Sequence, residues 1–453
     1  MKFLFCHKLK MRRSANGRAV SPCPPYREGR APSRPRGRAA CPYATAIWSA
    51  LVCLALNSLA ADYDIAAYVW PAYHNEPRWK ELGIFADGKG EWQNLYESTK
   101  RTPDDYQGVK PLWGYEDESD PVAVARKIDA ATAAGVNVFI YDWYWYGGRP
   151  FLEDALDKGF LGAKNCERMK FYIMYANHDV DRLWDNRVGT ADGKDRIFWS
   201  AKITDDDWRQ IVDRWIARYF TRPNYYTIEG RPVISIYSIR GFVKWDGLEK
   251  AKERIDYLRT RVKAAGFPGL HLQVIGGNKG TSMKDGLVAL GVDSTTSYNW
   301  TDNTWDRMND ETQRELDYDA WGEMSLGMHD RWQAALREIG MTYFPNLSVG
   351  WDTNARYPAR ETRRIVRKST PEKFERFARR VKAWVDANLA APLPKLITVN
   401  SWNEWTEGAY LEPDDRFGYG YLEALRRVFV GCSPRAPQDV LAVKNADDAN
   451  LKR

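Results

Sequence analysis

Eight short runs rich in β-branched and aromatic residues recur along the chain, and longer stretches with helical periodicity separate several of them. The runs are residues 65–69, 136–141, 171–175, 232–237, 270–275, 292–297, 342–347 and 396–400. Strands that alternate with helices in this way pair in parallel through right-handed crossovers. Eight such units predict an α/β fold of the (β/α)8 TIM-barrel type, with long insertions in its βα-loops.

The helical stretches and one insertion complete this prediction. Helices are predicted over residues 121–134, 205–220, 245–265, 320–339, 371–388 and 417–430. Thr204 and Thr370 stand where N-caps are expected for the second and fifth of these. The clearest insertion is residues 76–118, which is rich in Gly, Pro, Trp and charge. A doubly wound open sheet is the competing architecture, but no G-x-G-x-x-G follows the first strand to mark a dinucleotide site.

The first 61 residues have the composition of a secretory signal. A basic, Pro- and Arg-rich stretch to Arg38 precedes an apolar run at 44–56, and small residues follow it. We therefore predict a leader at 1–61, cleaved after Ala60 or Ala61, a catalytic domain at 62–432 and a polar tail at 433–453. Translation from Met11 and a retained membrane anchor are the alternatives. A secreted or periplasmic protein is expected, cell-surface association being a further option, with no membrane span left after cleavage.

Charge and metal-ligand content exclude several function classes. Residues 1–61 hold 11 Lys and Arg against one acidic residue, which leaves 56 basic and 59 acidic residues in the rest. The rest of the chain is therefore nearly neutral, at net −3, and the excess of positive charge lies in the leader, so no nucleic-acid partner is expected. Beyond the leader only Cys166 and Cys432 remain, and none of its four histidines forms an H-E-x-x-H pair. No metal or other cofactor is expected, and the oligomeric state stays open.

Polar and aromatic residues collect directly after the predicted strands. Those predicted to bind substrate are Tyr73 and His74 after the first strand, Asp142, Trp143 and Trp145 after the second, Asn177 and His178 after the third, Tyr298 and Trp300 after the sixth, and Trp351 after the seventh. Active sites of TIM barrels lie at this end of the strands. For any single residue a structural role is the alternative: a Trp can plug the core, a His can be a satisfied core residue, and Asp142 can cap a turn.

The eighth strand is followed by two carboxylates among aromatic side chains and an amide: Trp402, Asn403, Glu404, Trp405, Glu407 and Tyr410. In a helical turn, side chains at i and i+3 lie roughly 5 to 6 Å apart, close enough for both Glu404 and Glu407 to reach one glycosidic linkage. Trp402 and Trp405 would exclude water and help one carboxyl to keep its proton as general acid, while the other stays ionised as base or nucleophile. A solvated or helix-capping pair is the alternative. The segment predicts carbohydrate chemistry.

These elements resemble a known group of proteins. The segment 401–414 with its W-N-E-W-T-E-G element, residues 418–424 and residues 67–74 are similar to the glycoside hydrolase family 99-like group, which includes WbsX-type proteins often labelled glycosyltransferases. The resemblance runs from about Tyr63 to Val430.

This resemblance implies a TIM barrel that cleaves α-mannosidic linkages within a glycan, with retention and without a metal. It also implies that Glu404 deprotonates the substrate 2-hydroxyl, which attacks the anomeric carbon, and that Glu407 acts as general acid and then base. The expected protein is a secreted retaining glycoside hydrolase acting on an oligo- or polysaccharide. A glycosyltransferase of surface polysaccharide synthesis and a noncatalytic glycan-binding protein are the alternatives.

Overall fold

The computed structural model describes residues 62–98, 109–181, 186, 197–276, 284–302, 304, 315–357 and 365–431. The predicted leader, its cleavage site, Cys432 and the predicted tail at 433–453 lie outside these ranges, so the expectations about them stay predictions. Within the described ranges, no helix is both long enough and apolar enough to cross a membrane.

Eight parallel strands of the described residues form the central sheet. They are β1 (Asp64–Val69), β2 (Val138–Tyr146), β3 (Lys170–Tyr175), β4 (Arg231–Ile236), β5 (His271–Ile275), β6 (Ser294–Thr296), β7 in two pieces (Thr342–Tyr343 and Asn346–Ser348) and β8 (Leu396–Asn400). Neighbours in space follow chain order from β1 to β6, and β8 lies on the other side of β1.

The sheet closes through β7. Its first piece pairs with β6 and its second with β8. Between the two pieces, the Phe344 N–H donates to the Thr295 carbonyl at 2.9 Å, and the Pro345 carbonyl accepts from the Thr398 N–H at 3.0 Å. One strand thus bonds to both open edges, which confirms the predicted TIM barrel.

The strand β2 is longer than predicted. The prediction stopped at residue 141 because Asp142 breaks the apolar run, but all nine residues from Val138 to Tyr146 are buried. Asp142 and Trp143 continue the parallel register with β3, and the last three residues pair with the short antiparallel strand Arg149–Phe151. The strand therefore carries Asp142 out to the rim of the barrel.

Ten α-helices are described. They are α1 (Trp79–Leu82), α2 (Trp92–Glu97), α3 (Pro121–Ala134), α4 (Asp205–Trp215), α5 (Ile239–Lys244), α6 (Gly247–Ala264), α7 (Lys284–Ala289), α8 (Tyr318–Arg337), α9 (Pro371–Asn388) and α10 (Gly420–Phe429). Thr204 and Thr370 cap α4 and α9 as predicted. The predicted helix 205–220 continues past α4 as a π-helical segment, Ile216–Phe220. The insertion after β1 contains α1 and α2.

Shorter elements decorate the loops. Besides Arg149–Phe151, the short strands are Val180–Asp181, Ile197–Trp199, Thr227–Ile228, Glu315–Asp317, Ile365–Arg367, Asn403–Glu404 and Ala409–Tyr410. The short helical turns are Ala155–Phe160, Cys166–Arg168, Thr353–Arg356 and Trp405–Glu407.

Two glycines of α8 provide a test of how tightly α8 packs on α9. A Cβ on Gly322 would meet ring carbons of Phe377 at 2.4 to 2.7 Å, whereas a Cβ on Gly327 would meet nothing within 4 Å. Gly327→Ala is expected to raise the free energy of unfolding by up to about 1 kcal/mol, because Ala is the better helix former. Gly322→Ala is expected to lower it by about 1–3 kcal/mol through overpacking. Urea titration of both variants checks this, and equal stabilities would contradict the tight contact.

Candidate active site

The two glutamates are held by a compact turn after β8. Asn403–Glu404 pairs antiparallel with Ala409–Tyr410, and the 3-10 turn Trp405–Glu407 connects the two. The turn ends at Gly408, whose φ of 60° is left-handed. Glu404 lies directly before this turn and Glu407 is its last residue. Their side chains are close enough to interact directly.

Asn403 ties this turn to the rest of the rim. Its Oδ1 accepts from the Trp70 N–H, and its Nδ2 donates to the Trp70 carbonyl, all at 2.8 Å. The same Nδ2 donates to both carboxylate oxygens of Glu118, at 2.8 and 3.0 Å. The contacts of Asn403 in this structure therefore position the turn.

Trp405 fixes the other side of the turn. Its ring stacks on Tyr410 with centroids 3.8 Å apart and planes 15° apart, and its Nε1 donates to Glu412 at 2.8 Å. A buried lysine, Lys127 of α3, pairs with both Glu412 and Glu118. Burial raises the pKa of Glu118 to about 7 against the opposing charge of Lys127. The buried Lys127 thus pairs with the two carboxylates, Glu118 and Glu412, that accept hydrogen bonds from Asn403 and Trp405 of the turn.

Glu404 accepts hydrogen bonds on both of its oxygens. The Tyr298 hydroxyl donates to Oε2 at 2.8 Å and Asn400 Nδ2 donates to it at 3.4 Å. Arg356 Nη2 lies 3.4 Å from Oε1. Burial raises the pKa of Glu404, and the charge of Arg356 and the bond from Tyr298 act in the opposite direction. These contacts favour the ionised form of this carboxyl.

Glu407 has a different environment. Its Oε1 pairs with Arg356 Nη1, but its buried Oε2 has no hydrogen-bond partner among the described residues. Burial and then repulsion from Glu404 hold the pKa of Glu407 well above its usual range. Burial thus raises the pKa of both carboxyls, that of Glu407 further, and Glu407 is also the more exposed of the two, at 8% against 3%.

Asp142 lies on the same side of the site. Its Oδ2 is 3.4 Å from the Tyr298 hydroxyl, and its Oδ1 is buried without a hydrogen-bond partner among the described residues. Burial, followed by repulsion from Glu404, raises its pKa well above the usual range. Asp142 and Glu404 thus share Tyr298.

Two charged residues of the site were missed by the sequence reasoning. Arg356, in the turn Thr353–Arg356 after β7, contacts both glutamates. Glu91, in the insertion after β1, accepts a hydrogen bond from Arg356 Nε at 2.7 Å and another from Trp70 Nε1. Reading a few residues further past β7 would have reached Arg356, but no sequence signal marks Glu91.

Of the predicted site residues, the structure brings together Glu404, Glu407, Asp142 and Tyr298. Tyr73 joins them through the turn, because its buried hydroxyl accepts the Thr406 N–H at 3.3 Å. The His178 ring lies 5.5 Å from the rings of Tyr144 and Tyr237, and Tyr237 in turn contacts Tyr298.

The other predicted residues lie away from the carboxylates. On β2, alternation turns Trp143 and Trp145 toward the helices, where they donate to Glu153 and Asp207. Asn177 bonds to the backbone of Ser238.

The remaining predicted aromatic and histidine side chains pack elsewhere. The Nε2 of the buried His74 lies 3.9 Å from a carboxylate oxygen of Glu76. Trp300 packs on Trp321, Trp402 packs on Phe139, and Trp351 is half-buried beyond β7. Their predicted contacts with substrate stay predictions. Among the described residues, no group of three His, Cys, Asp or Glu side chains could hold a metal ion.

Tyr298→Phe tests the electrostatic control of Glu404. Loss of a hydrogen bond to a charged group costs about 1.5–3 kcal/mol, so the pKa of Glu404 should rise by about 1 to 2 pH units, as followed by NMR of 13C-labelled glutamate carboxyls. Tyr172→Phe is the matched control, since its hydroxyl donates to Gln273 inside the barrel. A Glu404 titration that stays in place would contradict this role of Tyr298.

Comparison with known proteins identifies the family to which this chain is similar. The model of the family described as Glycosyltransferase WbsX matches residues 65–425. Two strains of Xanthomonas campestris pv. campestris, B100 and ATCC 33913, carry a protein named WxcX, described as uncharacterized, that is 26% identical over 387 residues. The match covers 82% of this chain and 51% of the relative, so the chain spans about half the length of these curated relatives.

Solved structures share the fold. A glycoside hydrolase-like protein superimposes with a TM-score of 0.53 at 15% identity, over 82% of this chain and 95% of its own. The GH99 endo-alpha-mannosidase from Bacteroides thetaiotaomicron aligns at 13% identity with a TM-score of 0.49, over 81% of this chain and 96% of its own. The family match spans the barrel from β1 into α10, which confirms the resemblance that the sequence motifs indicated. The chain belongs to the Glycosyltransferase WbsX family, and its fold is a TIM barrel.

Proposed function

We propose that this protein is a retaining glycoside hydrolase that uses Glu404 and Glu407 on an oligo- or polysaccharide. The observation that carries the proposal is the asymmetry of the pair. Glu404 accepts from the Tyr298 hydroxyl and from Asn400, whereas the pKa of Glu407 is raised well above its usual range by burial and then by Glu404, and Glu407 is the more exposed of the two. Enzymes of this class need one carboxyl as acid and the other as base.

In the first step, the Glu404 carboxylate takes the proton of the substrate 2-hydroxyl, and that oxygen attacks the anomeric carbon. The bond from this carbon to the leaving oxygen breaks, and Glu407 transfers its proton to the leaving oxygen. An internal nucleophile held in place gains from proximity.

In the second step, Glu407, now ionised, takes a proton from water, and the water oxygen attacks the anomeric carbon of the 1,2-anhydro sugar. The bond from this carbon to the 2-oxygen breaks, and Glu404 returns its proton to that oxygen. Two inversions give overall retention. The likeness of the W-N-E-W-T-E-G element to the family 99-like group supports this route and makes α-mannosidic linkages, cleaved within the chain, the first candidates.

A glycosyltransferase is the second candidate, because the description of the matching family favours it. Such an enzyme would bind a nucleotide sugar as donor. The composition of residues 1–61 supports a secreted or periplasmic location, where nucleotide sugars are not supplied, and we therefore rank the hydrolase first.

N-terminal sequencing of the exported protein tests the proposed leader. A mature start at residue 61 or 62 is expected, and an uncleaved cytoplasmic protein would contradict it.

A glycan panel tests the proposed function. Purified protein should cleave at least one of a set of α-mannans, α-glucans and sulfated polysaccharides, and proton NMR should show the retained anomer as the first product. The double variant Glu404→Gln, Glu407→Gln is the control and should be inactive. Product formation by this variant, or an inverted first product, would overturn the proposal. Tight binding and turnover of a nucleotide sugar would instead establish the second candidate.

A further inference from the structure

Arg356 occupies the centre of the charged cluster. One of its η nitrogens pairs with Glu407 and the other lies 3.4 Å from Glu404. Its Nε donates to Glu91 Oε1 at 2.7 Å, and Nη2 lies 3.3 Å from Glu91 Oε2. A single guanidinium therefore contacts three carboxyl groups, one from the insertion after β1 and two from the turn after β8.

Glu91 and Trp70 hold the Arg356 guanidinium in place. Glu91 is 1% exposed and also accepts a hydrogen bond from Trp70 Nε1. The Arg356 carbon Cζ lies 5.1 Å from the centre of the Trp70 ring. A planar fork bound through two nitrogens to one carboxylate has a fixed orientation. Arg356 cannot rotate away from the glutamates without losing the contact with Glu91.

The charges explain why such a group is needed. Ionised carboxyl groups in a buried site repel one another, and an uncompensated buried charge costs several kcal/mol. Arg356 is the cation that the described structure places in contact with all three. Only a fork with two separate η nitrogens can hold Glu404 and Glu407 at a set mutual position, because an ammonium is a point charge.

We infer that Arg356, anchored by Glu91, is a positioning residue that fixes the mutual geometry of Glu404 and Glu407 and supplies the charge that keeps Glu404 ionised. The roles of the two glutamates rest on the proposed function. The insertion after β1 is then part of the active site, since it contributes the anchor.

The test combines a titration with kinetics. Protein labelled with 13C at the glutamate carboxyl carbon is titrated by NMR, with Glu404→Gln and Glu407→Gln providing the assignments. In Arg356→Met the Glu404 signal should titrate higher by about 1 to 3 pH units, the effect of losing an adjacent opposite charge. In Arg356→Lys the signal should stay near its original midpoint, while kcat on the cleaved glycan falls because the ammonium cannot hold both carboxyls. Arg380→Met, which removes an exposed pair with Glu323, is the matched control and should change neither.

Loss of the cation can destabilise the fold, so a second comparison removes one buried charge first. Glu91→Gln is compared with the double variant Glu91→Gln, Arg356→Met, and the same upward movement of the Glu404 signal is expected. A Glu404 titration that stays in place in both comparisons overturns the inference. The titration needs no substrate, so failure to cleave any glycan would contradict the proposed function and leave this measurement intact. A glycan cleaved with an unmoved titration would overturn the inference alone.

Discussion

Glu407→Gln is expected to lower kcat on a glycan by about 10²- to 10⁴-fold, the usual contribution of a general acid, which is the role we propose for Glu407. The same variant should release fluoride from the corresponding glycosyl fluoride at nearly the original rate in the first turnover. The reason is that fluoride leaves without a proton, so the group that donates one is no longer needed. Rapid-quench measurement of the first turnover on both substrates checks this.

Glu404→Gln should behave differently. Because the 2-hydroxyl must lose its proton whatever the leaving group, fluoride release should fall by a similar factor, about 10²- to 10⁴-fold. Glu323→Gln, on the exposed face of α8, is the control and should leave both rates unchanged. Equal loss of fluoride release in the Glu404 and Glu407 variants would contradict the separate roles assigned to them.

Lys127→Met is expected to produce the largest loss of stability, about 3–5 kcal/mol in the free energy of unfolding. The Lys127 side chain is 4% exposed, and its removal leaves Glu118 and Glu412 buried without their cation. Both carboxylates then lose the charge that compensates their burial. Denaturant titration at pH 8 measures the loss.

The loss should depend on pH. In the folded protein the pKa of Glu118, about 7, lies above its ordinary value of 4.5, so folding favours the protonated form. The stability contributed by this preference is present below pH 4.5 and is lost as the pH rises through about 7. Without Lys127 the ionised form is costlier, and the difference from the original protein should be smaller at pH 5 than at pH 8.

Lys158→Met is the matched control for this variant. Lys158 pairs with Asp154 at 2.8 Å, but its side chain is 66% exposed. Exposed pairs of this kind contribute roughly 0.3–0.5 kcal/mol, so little change is expected. A Lys127 variant as stable as the Lys158 variant at pH 8 would show that the buried network does not depend on its cation.

Much of the barrel could be predicted from the sequence because its elements are local. The helices Pro121–Ala134 and Pro371–Asn388 have the predicted bounds because periodicity, an N-cap and a proline at the first turn mark each of them. The strand Leu396–Asn400 has the predicted bounds because a short run of apolar and β-branched residues marks it. The prediction for β2 was too short because a carboxylate inside a strand is unexpected from local pattern alone.

The candidate site was predictable in part. Strand exits pointed to Asp142 and Tyr298, and the carboxylate spacing pointed to Glu404 and Glu407. The same reasoning also selected Trp143 and Trp300, because an aromatic residue after a strand has the same local sequence whether it faces the barrel or the helices. Side chains alternate between the two faces of β2, but this alternation separates the two cases only once it is known which face lies inside the barrel.

The sequence by itself determined the alternation of strands and helices and the spacing that places Glu404 and Glu407 in one turn. These depend on backbone propensity, on side-chain periodicity and on residues close together in the chain. Only the tertiary structure decided that Arg356 and Glu91, 265 residues apart, bind each other beside Glu404 and Glu407. It alone also decided that Lys127 pairs with the carboxylates that bind the turn. The physical reason is that ion pairs and burial act through space, and a carboxyl's protonation depends on charges and water exclusion from every segment around it.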